Sequence, residues 1–171
     1  MTNIKQRSKD WKSGVSKTIT FIVTKDCQLA CKYCYLVGKN SKERMSFGIA
    51  KKAIDYILAH ENDMPEESVV FDFIGGEPFL EIDLIDKICD YLKIEMFRLN
   101  HHWFNSFRFS FSTNGINYHE KKIQDFIKKN RNHLSIGITI DGTEKKHDLN
   151  RIYKISSKGS YQDVAKNIPL W

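Results

Sequence analysis

Cys27-Gln28-Leu29-Ala30-Cys31-Lys32-Tyr33-Cys34 places three thiols within eight residues. Residues 18–24, just before it, are mostly β-branched and aromatic and predict a buried strand, so the thiols lie on the loop that leaves this strand. Thiolates crowded on a short loop are typical of a zinc site or an iron–sulfur cluster. A structural zinc site usually takes its fourth ligand from a second Cys or His pair, but the other cysteine, Cys89, lies alone in a helical pattern. Three close thiolates without a fourth fit a four-iron cluster with one iron left open.

Strand patterns and helical patterns alternate along the rest of the chain. The predicted strands cover residues 18–24, 69–74, 108–112 and 134–140. The predicted helices cover residues 47–61, 79–98 and 118–129. A capping box at Ser160 to Asp163 predicts the start of a fourth helix, and the polar residues 143–159 before it are predicted to form a long loop. This order is typical of an α/β protein with a parallel sheet and helices outside it.

Each of the last three strand patterns is followed by residue types suited to ligand binding. The motifs are Gly75-Gly76-Glu77-Pro78, Ser112-Thr113-Asn114-Gly115 and Thr139-Ile140-Asp141-Gly142. Taken singly, each is also compatible with an ordinary turn. Because α/β barrels build their active sites at the carboxyl ends of their strands, we expect these motifs and the cysteine loop to meet at one rim.

Composition narrows the class of protein. The chain has 171 residues, 41% of them hydrophobic, which is enough for one domain with a core. It carries a formal charge of +6, but no basic motif interleaved with aromatic residues predicts nucleic-acid binding. No run of 18 apolar residues predicts a membrane span, and residues 1–17 are polar and basic without the apolar core of a signal peptide. Clustered cysteines suit a reducing compartment, so we expect a cytoplasmic protein.

The spacing C-x3-C-x-aromatic-C after a first strand, with Tyr33 at the aromatic position, resembles the radical S-adenosylmethionine (SAM) superfamily. The resemblance implies that Cys27, Cys31 and Cys34 hold a 4Fe-4S cluster whose fourth iron is chelated by the amino and carboxylate groups of SAM. It implies reductive cleavage of SAM to methionine and a 5′-deoxyadenosyl radical. An electron donor such as flavodoxin or ferredoxin is then an expected partner.

The resemblance also assigns roles at the strand ends. Glycines there leave backbone groups open to a ligand, and Glu77 would add a carboxylate near the methionine ammonium of SAM. Arg151 would pair with the SAM carboxylate, and Asp141 is the tentative catalytic residue that orients substrate or SAM. The implied cofactor-binding residues are Tyr33, Gly75, Gly76, Glu77, Ser112, Asn114, Thr139 and Arg151.

The stretch from Thr139 through Asp141-Gly142 and His147-Asp148 to Arg151 resembles one found in peptide maturases and sulfatase-maturating enzymes of the SPASM type. It implies an oxidoreductase or peptide maturase that oxidises, crosslinks or forms a thioether in a peptide or protein substrate. Such enzymes have six barrel strands and a cysteine-rich carboxyl-terminal domain, which this sequence lacks. We therefore expect residues 18–171 to form a partial (β/α) barrel of the radical SAM type, truncated after about four β-α units and preceded by a polar segment over 1–17.

Two other functions stay open at this level. One is a glycyl-radical-enzyme activase, although the Asp-Gly, His-Asp and Arg pattern favours a maturase. The other is a non-catalytic metal-binding protein, in its simplest form a zinc-binding interaction module.

Overall fold

The computed structural model describes residues 16–36 and 41–170. Four parallel strands form one sheet in the order β1-β2-β3-β4. The strands are β1 (Ser16–Thr24), β2 (Ser68–Gly75), β3 (Phe107–Thr113) and β4 (Leu134–Ile138). The helices are α1 (Phe47–Ala59), α2 (Ile82–Arg98), α3 (Lys121–Asn130), α4 (Glu144–Asn150) and α5 (Tyr161–Ala165). The predicted parallel α/β sheet is confirmed.

One face of the sheet is aromatic and carries the core. Phe21, Phe73 and Phe111 pair in register across β1, β2 and β3, and their rings stack with centroids 5.4 and 5.1 Å apart. Ile136 continues this row on β4. The apolar faces of α1, α2 and α3 pack into the same core. Sequential strand order with right-handed crossovers places successive helices on one side, as in a barrel.

The sequence predicts the strands and most helix positions closely. Ser46 caps α1 as expected, since its hydroxyl accepts a hydrogen bond from the Ile49 N–H at 3.2 Å. Three boundaries differ. The segment Pro78–Glu81 forms a separate 3-10 turn before α2, α3 begins at Lys121, and β4 ends at Ile138. Strand β1 begins at Ser16, and residues 1–15 of the predicted polar segment lie outside the described residues.

The prediction of a long loop over residues 143–159 is wrong, because α4 lies within it. Thr143 caps this helix by accepting from the Lys146 N–H at 3.4 Å. His147 is its one buried residue. A helix with so narrow a buried face carries no apolar periodicity in its sequence, which is why the pattern indicated a loop.

The prediction that Ser160 caps α5 through its side chain is also wrong, although the helix does begin at Tyr161. The Ser160 hydroxyl donates to the Arg151 carbonyl at 2.8 Å instead. The exposed first turn is satisfied by Asp148, whose Oδ1 accepts from the Tyr161 N–H at 2.8 Å. The helix end is thereby tied to the segment that carries Arg151.

Among residues 16–36 and 41–170, no helix has the length and apolar character needed to cross a bilayer.

Candidate functional site

A cavity of about 220 Å³ lies at the carboxyl ends of the strands. All four strands contribute to its wall, together with the cysteine loop after β1 and the segment after α4. The wall includes every predicted metal-binding and cofactor-binding residue: Cys27, Cys31, Tyr33, Cys34, Gly75, Gly76, Glu77, Ser112, Asn114, Thr139 and Arg151. Asp141 does not line the cavity. The sequence expectation that these motifs meet at one rim therefore agrees with the structure.

The cysteine loop is held by a backbone ladder that the sequence did not predict. Residues 28–32 run antiparallel to residues 150–154. The ladder comprises the hydrogen bonds Lys154 N–H to the Gln28 carbonyl (3.0 Å), Ala30 N–H to the Ile152 carbonyl (2.8 Å) and Lys32 N–H to the Asn150 carbonyl (3.0 Å). The same ladder carries Arg151 to the cavity beside the thiols. Neither segment has the alternation of a strand, so only the three-dimensional contact reveals the pairing.

The three clustered thiols differ in exposure. Cys27 is buried, and its Sγ lies 3.4 Å from the Leu29 N–H, which donates to it, and 3.8 Å from the Asn114 side-chain amide. Cys31 and Cys34 are partly exposed, and all three are free of disulfides. Amide donors near a sulfur favour its thiolate form, which is the form that binds metal.

Cys89 lies on α2 in the core, fully buried and away from the cavity wall. Burial raises the pKa of its thiol well above the usual range. It therefore packs as a small apolar side chain, as the sequence indicated.

Gly75 and Gly76 lie where β2 meets the start of the cysteine loop. A Cβ atom on Gly76 would lie 2.1 Å from the Asp26 carbonyl oxygen, and one on Gly75 would lie 2.2 Å from the Thr24 carbonyl oxygen. The Gly76 N–H donates to the Thr24 carbonyl at 2.9 Å, and the Glu77 N–H donates to the Asp26 carbonyl at 2.8 Å. The glycines are needed for close approach of two backbone segments, in addition to any contact with a ligand.

Glu77 joins β2 to β3 through its buried carboxylate. Its Oε1 accepts from the Thr113 hydroxyl at 2.6 Å and the Phe79 N–H at 3.1 Å, and its Oε2 accepts from the Asn114 N–H at 2.8 Å. Burial raises the pKa of Glu77, and these hydrogen bonds oppose the rise. The carboxylate thus has a structural task that the sequence did not reveal; Thr113, inside the quoted motif, was the available clue.

The remaining predicted cofactor residues present different groups to the cavity. Ser112 is exposed, whereas Asn114 is buried and turns its side-chain amide toward the Gln28 side-chain oxygen at 3.1 Å. The Thr139 N–H donates to the Thr113 carbonyl at 3.2 Å, which places its side chain just beyond β4. Ser112 and Thr139 are therefore better placed than Asn114 to offer a hydroxyl to a ligand.

Tyr33, Asp141 and Arg151 form a polar chain along the rim. The Tyr33 hydroxyl donates to Asp141 Oδ2 at 2.6 Å and accepts from Arg151 Nη1 at 2.8 Å. Burial and the bond to Asp141 raise the pKa of Tyr33, so the phenol keeps its proton at neutral pH. Asp141, predicted as catalytic, thus reaches the cavity only through Tyr33.

Arg151 provides a test of whether the site fits an anionic cofactor. Its side chain lines the cavity, the residue is 7% exposed, and its Nε has no hydrogen-bond partner within residues 16–36 and 41–170. Buried polar groups are normally hydrogen-bonded, so an orphan guanidinium N–H facing a cavity suits a bound carboxylate. Three thiols and this cation together match a metal cluster with an amino-acid ligand beside it.

His147 fixes both ends of the segment from Asp141 to Arg151. Its Nδ1 accepts from the Asp141 N–H at 3.3 Å, and its Nε2 lies 3.0 Å from the Ser160 hydroxyl. Because that hydroxyl donates to the Arg151 carbonyl, it accepts from Nε2, which carries the proton. Burial and the nearby Arg151 lower the pKa of His147, so the ring is neutral.

We expect the folded protein to lose stability as the pH falls below about 6.5, the pKa of histidine in an unfolded chain. Between that pH and the lowered pKa of His147, the unfolded chain binds a proton that the folded chain refuses. His147→Gln keeps a donor for Ser160 but removes this titration. Urea unfolding at pH 7 and pH 5 should show a smaller loss for the variant than for the wild type. Equal losses would contradict the neutral, buried role of His147.

The profile of the Radical SAM superfamily matches residues 21–170 of the chain. The chain belongs to the radical SAM superfamily. Its cofactors are therefore SAM and a 4Fe-4S cluster. The predicted family and cofactors are confirmed.

Two curated relatives cover most of this radical SAM chain. An uncharacterized protein of Methanocaldococcus jannaschii is 37% identical over 161 residues, which make up 90% of this chain and 51% of the relative. A cysteine-type anaerobic sulfatase-maturating enzyme of Clostridium novyi is 31% identical over 148 residues, which make up 85% of this chain and 37% of the relative. The chain thus spans about half, or less, of the length of these relatives.

Two solved structures share the fold of this radical SAM chain. Native anSMEcpe with bound AdoMet and Cp18Cys peptide aligns with 91% of this chain and 39% of its own, with a TM-score of 0.68 and 23% identity. A histidine-tagged form of anSMEcpe with bound AdoMet aligns with 91% of this chain and 40% of its own, with a TM-score of 0.73 and 20% identity. The predicted fold class, a partial barrel of the radical SAM type, is confirmed as an open four-stranded parallel sheet.

Proposed function

We propose that the chain is the cluster-binding and SAM-binding part of a radical SAM enzyme that modifies a peptide or protein. In this proposal Cys27, Cys31 and Cys34 hold the 4Fe-4S cluster, and the cavity beside them takes SAM. One observation carries it: the three thiols, the Gly75-Gly76 turn and the orphan Nε of Arg151 line one cavity. The chemistry that the two cofactors supply when bound is one-electron cleavage of SAM to methionine and a 5′-deoxyadenosyl radical.

The side chains of this chain bind and orient the cofactors. Cys27 is buried and receives amide hydrogen bonds, so its thiolate is shielded from water, whereas Cys31 and Cys34 face the open side. Arg151 offers its guanidinium to the carboxylate of SAM. Gly75 and Gly76 let the backbone approach the ligand closely, while Ser112 and Thr139 offer hydroxyls.

Tyr33 and Asp141 complete the rim. Tyr33 is 54% exposed and hydrogen-bonded to both Asp141 and Arg151, so its ring is held at the mouth of the cavity. From there the ring can cover the bound nucleoside and limit entry of water. Asp141 holds the Tyr33 hydroxyl, which makes Asp141 a positioning residue in this proposal.

A peptide substrate is supported by two comparisons and one motif. A relative is a sulfatase-maturating enzyme, and one structural neighbour was solved with a bound peptide. The Asp141-Gly142, His147-Asp148 and Arg151 pattern resembles that of peptide-modifying members. An electron donor such as flavodoxin or ferredoxin is the second proposed partner.

Anaerobic turnover tests the proposal. Protein reconstituted with iron and sulfide is reduced with dithionite in the presence of SAM, and 5′-deoxyadenosine and methionine are measured. Equal amounts of both products are expected, and added peptides are screened by mass spectrometry for loss of hydrogen or a new crosslink. A colourless protein that binds zinc at the three thiols and leaves SAM intact would contradict the proposal.

Replacement of Arg151 should weaken SAM binding. Arg151→Gln removes the cation proposed to meet the SAM carboxylate, and a hydrogen bond to a charged group contributes about 1.5–3 kcal/mol. We therefore expect the Kd for SAM to rise by roughly tenfold or more, with the iron content unchanged. Calorimetric titration of cluster-loaded protein measures this, with Arg98→Gln, an exposed arginine on α2, as the matched control. Equal affinity in Arg151→Gln and Arg98→Gln would remove Arg151 from the SAM site.

A further inference from the structure

Glu61, His101 and His102 form a second polar cluster, at the opposite edge of the sheet from the cysteine cavity. Glu61 begins the 3-10 turn after α1, and the two histidines lie between α2 and β3. Both connections precede strand starts, whereas the cysteine loop follows a strand end. Across residues 16–36 and 41–170, this is the one group of three such side chains whose ligand atoms lie within 4.8 Å of one another.

The separations in this cluster suit a metal ion better than direct hydrogen bonds. Glu61 Oε2 lies 3.5 Å from His101 Nε2 and 3.6 Å from His102 Nδ1. These distances are long for a hydrogen bond. Ligands bound at about 2.0–2.1 Å in a tetrahedron stand about 3.3 Å apart, so a point near 2 Å from all three atoms is geometrically available.

The ring of His102 is already oriented as metal-binding histidines usually are. Its Nε2 lies 3.1 Å from the Glu66 carbonyl, which can only accept, so Nε2 carries the proton. The lone pair is left on Nδ1, facing Glu61. A backbone carbonyl that fixes the second ring nitrogen is the usual support for a histidine ligand.

His101 supplies the independent sign of a missing ligand. Its side chain is completely buried, and its Nε2 has no hydrogen-bond partner among the described residues. Its Nδ1 accepts from the Trp103 N–H at 3.2 Å, so a cation on Nε2 would move the ring proton to Nδ1 and release that long bond. Burial and the adjacent His102 lower the pKa of His101, which keeps the ring neutral as a ligand must be.

We propose that Glu61, His101 and His102 bind a divalent transition-metal cation of the zinc type, with water in the fourth position. One carboxylate and two imidazoles are a ligand set that zinc accepts. Magnesium and calcium prefer oxygen ligands and are not expected here. The bound ion would join the α1–β2 connection to the α2–β3 connection and so stabilise the edge of the sheet farthest from the cysteine cavity.

Zinc titration of the cluster-loaded protein tests this site, since the cluster then occupies the thiols. The proteins compared are the wild type, Glu61→Gln, His102→Ala and the control His119→Ala, an exposed histidine before α3. Glu61 and His102 are themselves partly exposed, so their variants should fold. We expect the wild type and His119→Ala to bind one zinc ion at this site, and Glu61→Gln and His102→Ala to bind it at least about tenfold more weakly.

A second readout separates this site from zinc on the thiols, which are common to all four proteins. Zinc should raise the thermal midpoint of the wild type and of His119→Ala, but not of the other two, because only a site in the folded state shifts unfolding. Magnesium should have no effect. Equal zinc affinity in all four proteins, or an equal effect of magnesium, would overturn the assignment.

Discussion

Cys31→Ala is expected to abolish stable binding of the 4Fe-4S cluster. In the proposed site each of Cys27, Cys31 and Cys34 holds one iron, so the loss of any thiolate leaves two irons without a protein ligand. Free energy of metal binding depends on a complete set of deprotonated ligands, and no other cysteine reaches the cavity wall in the part of the chain that the structure describes. Iron and sulfide analysis and the visible spectrum after anaerobic reconstitution measure the result.

Cys89→Ala is the matched control for this substitution. Cys89 is buried on α2 in the core, so its replacement should leave the iron content unchanged. Removal of the sulfur leaves a small void, which should lower the free energy of unfolding by about 1 kcal/mol. A loss of iron in Cys89→Ala as complete as in Cys31→Ala would show that the assignment of three ligands is wrong.

Gly76→Ala is expected to lower both stability and cluster content. The added Cβ would stand 2.1 Å from the Asp26 carbonyl oxygen and 2.5 Å from its carbon, and 2.8 Å from the Lys25 carbonyl oxygen. All are backbone atoms at the start of the cysteine loop, so no flexible side chain can move aside. We expect a loss of at least about 2 kcal/mol in the free energy of unfolding, measured by urea denaturation. Since Cys27 follows Asp26, the loop that carries the thiols should be displaced as well.

Gly48→Ala provides the contrast. Gly48 lies in α1, and a Cβ there meets nothing closer than the Ser46 hydroxyl at 3.9 Å. Alanine in an exposed helix is favoured over glycine by about 0.5–1 kcal/mol, so this variant should be as stable as the wild type or more stable. If Gly76→Ala unfolds at the same urea concentration as Gly48→Ala, the close approach at Gly76 is not real.

The sequence predicts the sheet because its strands are marked by strong local patterns. Alternating phenylalanines on β3 and the aromatic run on β1 indicate buried strands whatever the tertiary contacts are. Strands ending in Gly-Gly-Glu and Asp-Gly indicate a shared rim. By contrast, α4 buries only His147, so its sequence has no periodicity to read.

The details of the site depend on contacts between distant residues, which no local pattern records. Tyr33 meets Asp141 and Arg151 across 108 and 118 residues. The ladder that holds the cysteine loop joins segments that look like loops, and Glu77, expected to face a ligand, is bonded within the fold. Glu61 and the two histidines have no sequence spacing that indicates a metal site.

Electron paramagnetic resonance of the reduced, reconstituted protein, with and without SAM, tests the central claim most directly. If Cys27, Cys31 and Cys34 hold a cluster with one open iron, the protein should contain about four irons per chain, and SAM should change the spectrum of the reduced cluster by binding that iron. A spectrum that SAM leaves unchanged, or a colourless protein that retains zinc instead of iron, would contradict the account.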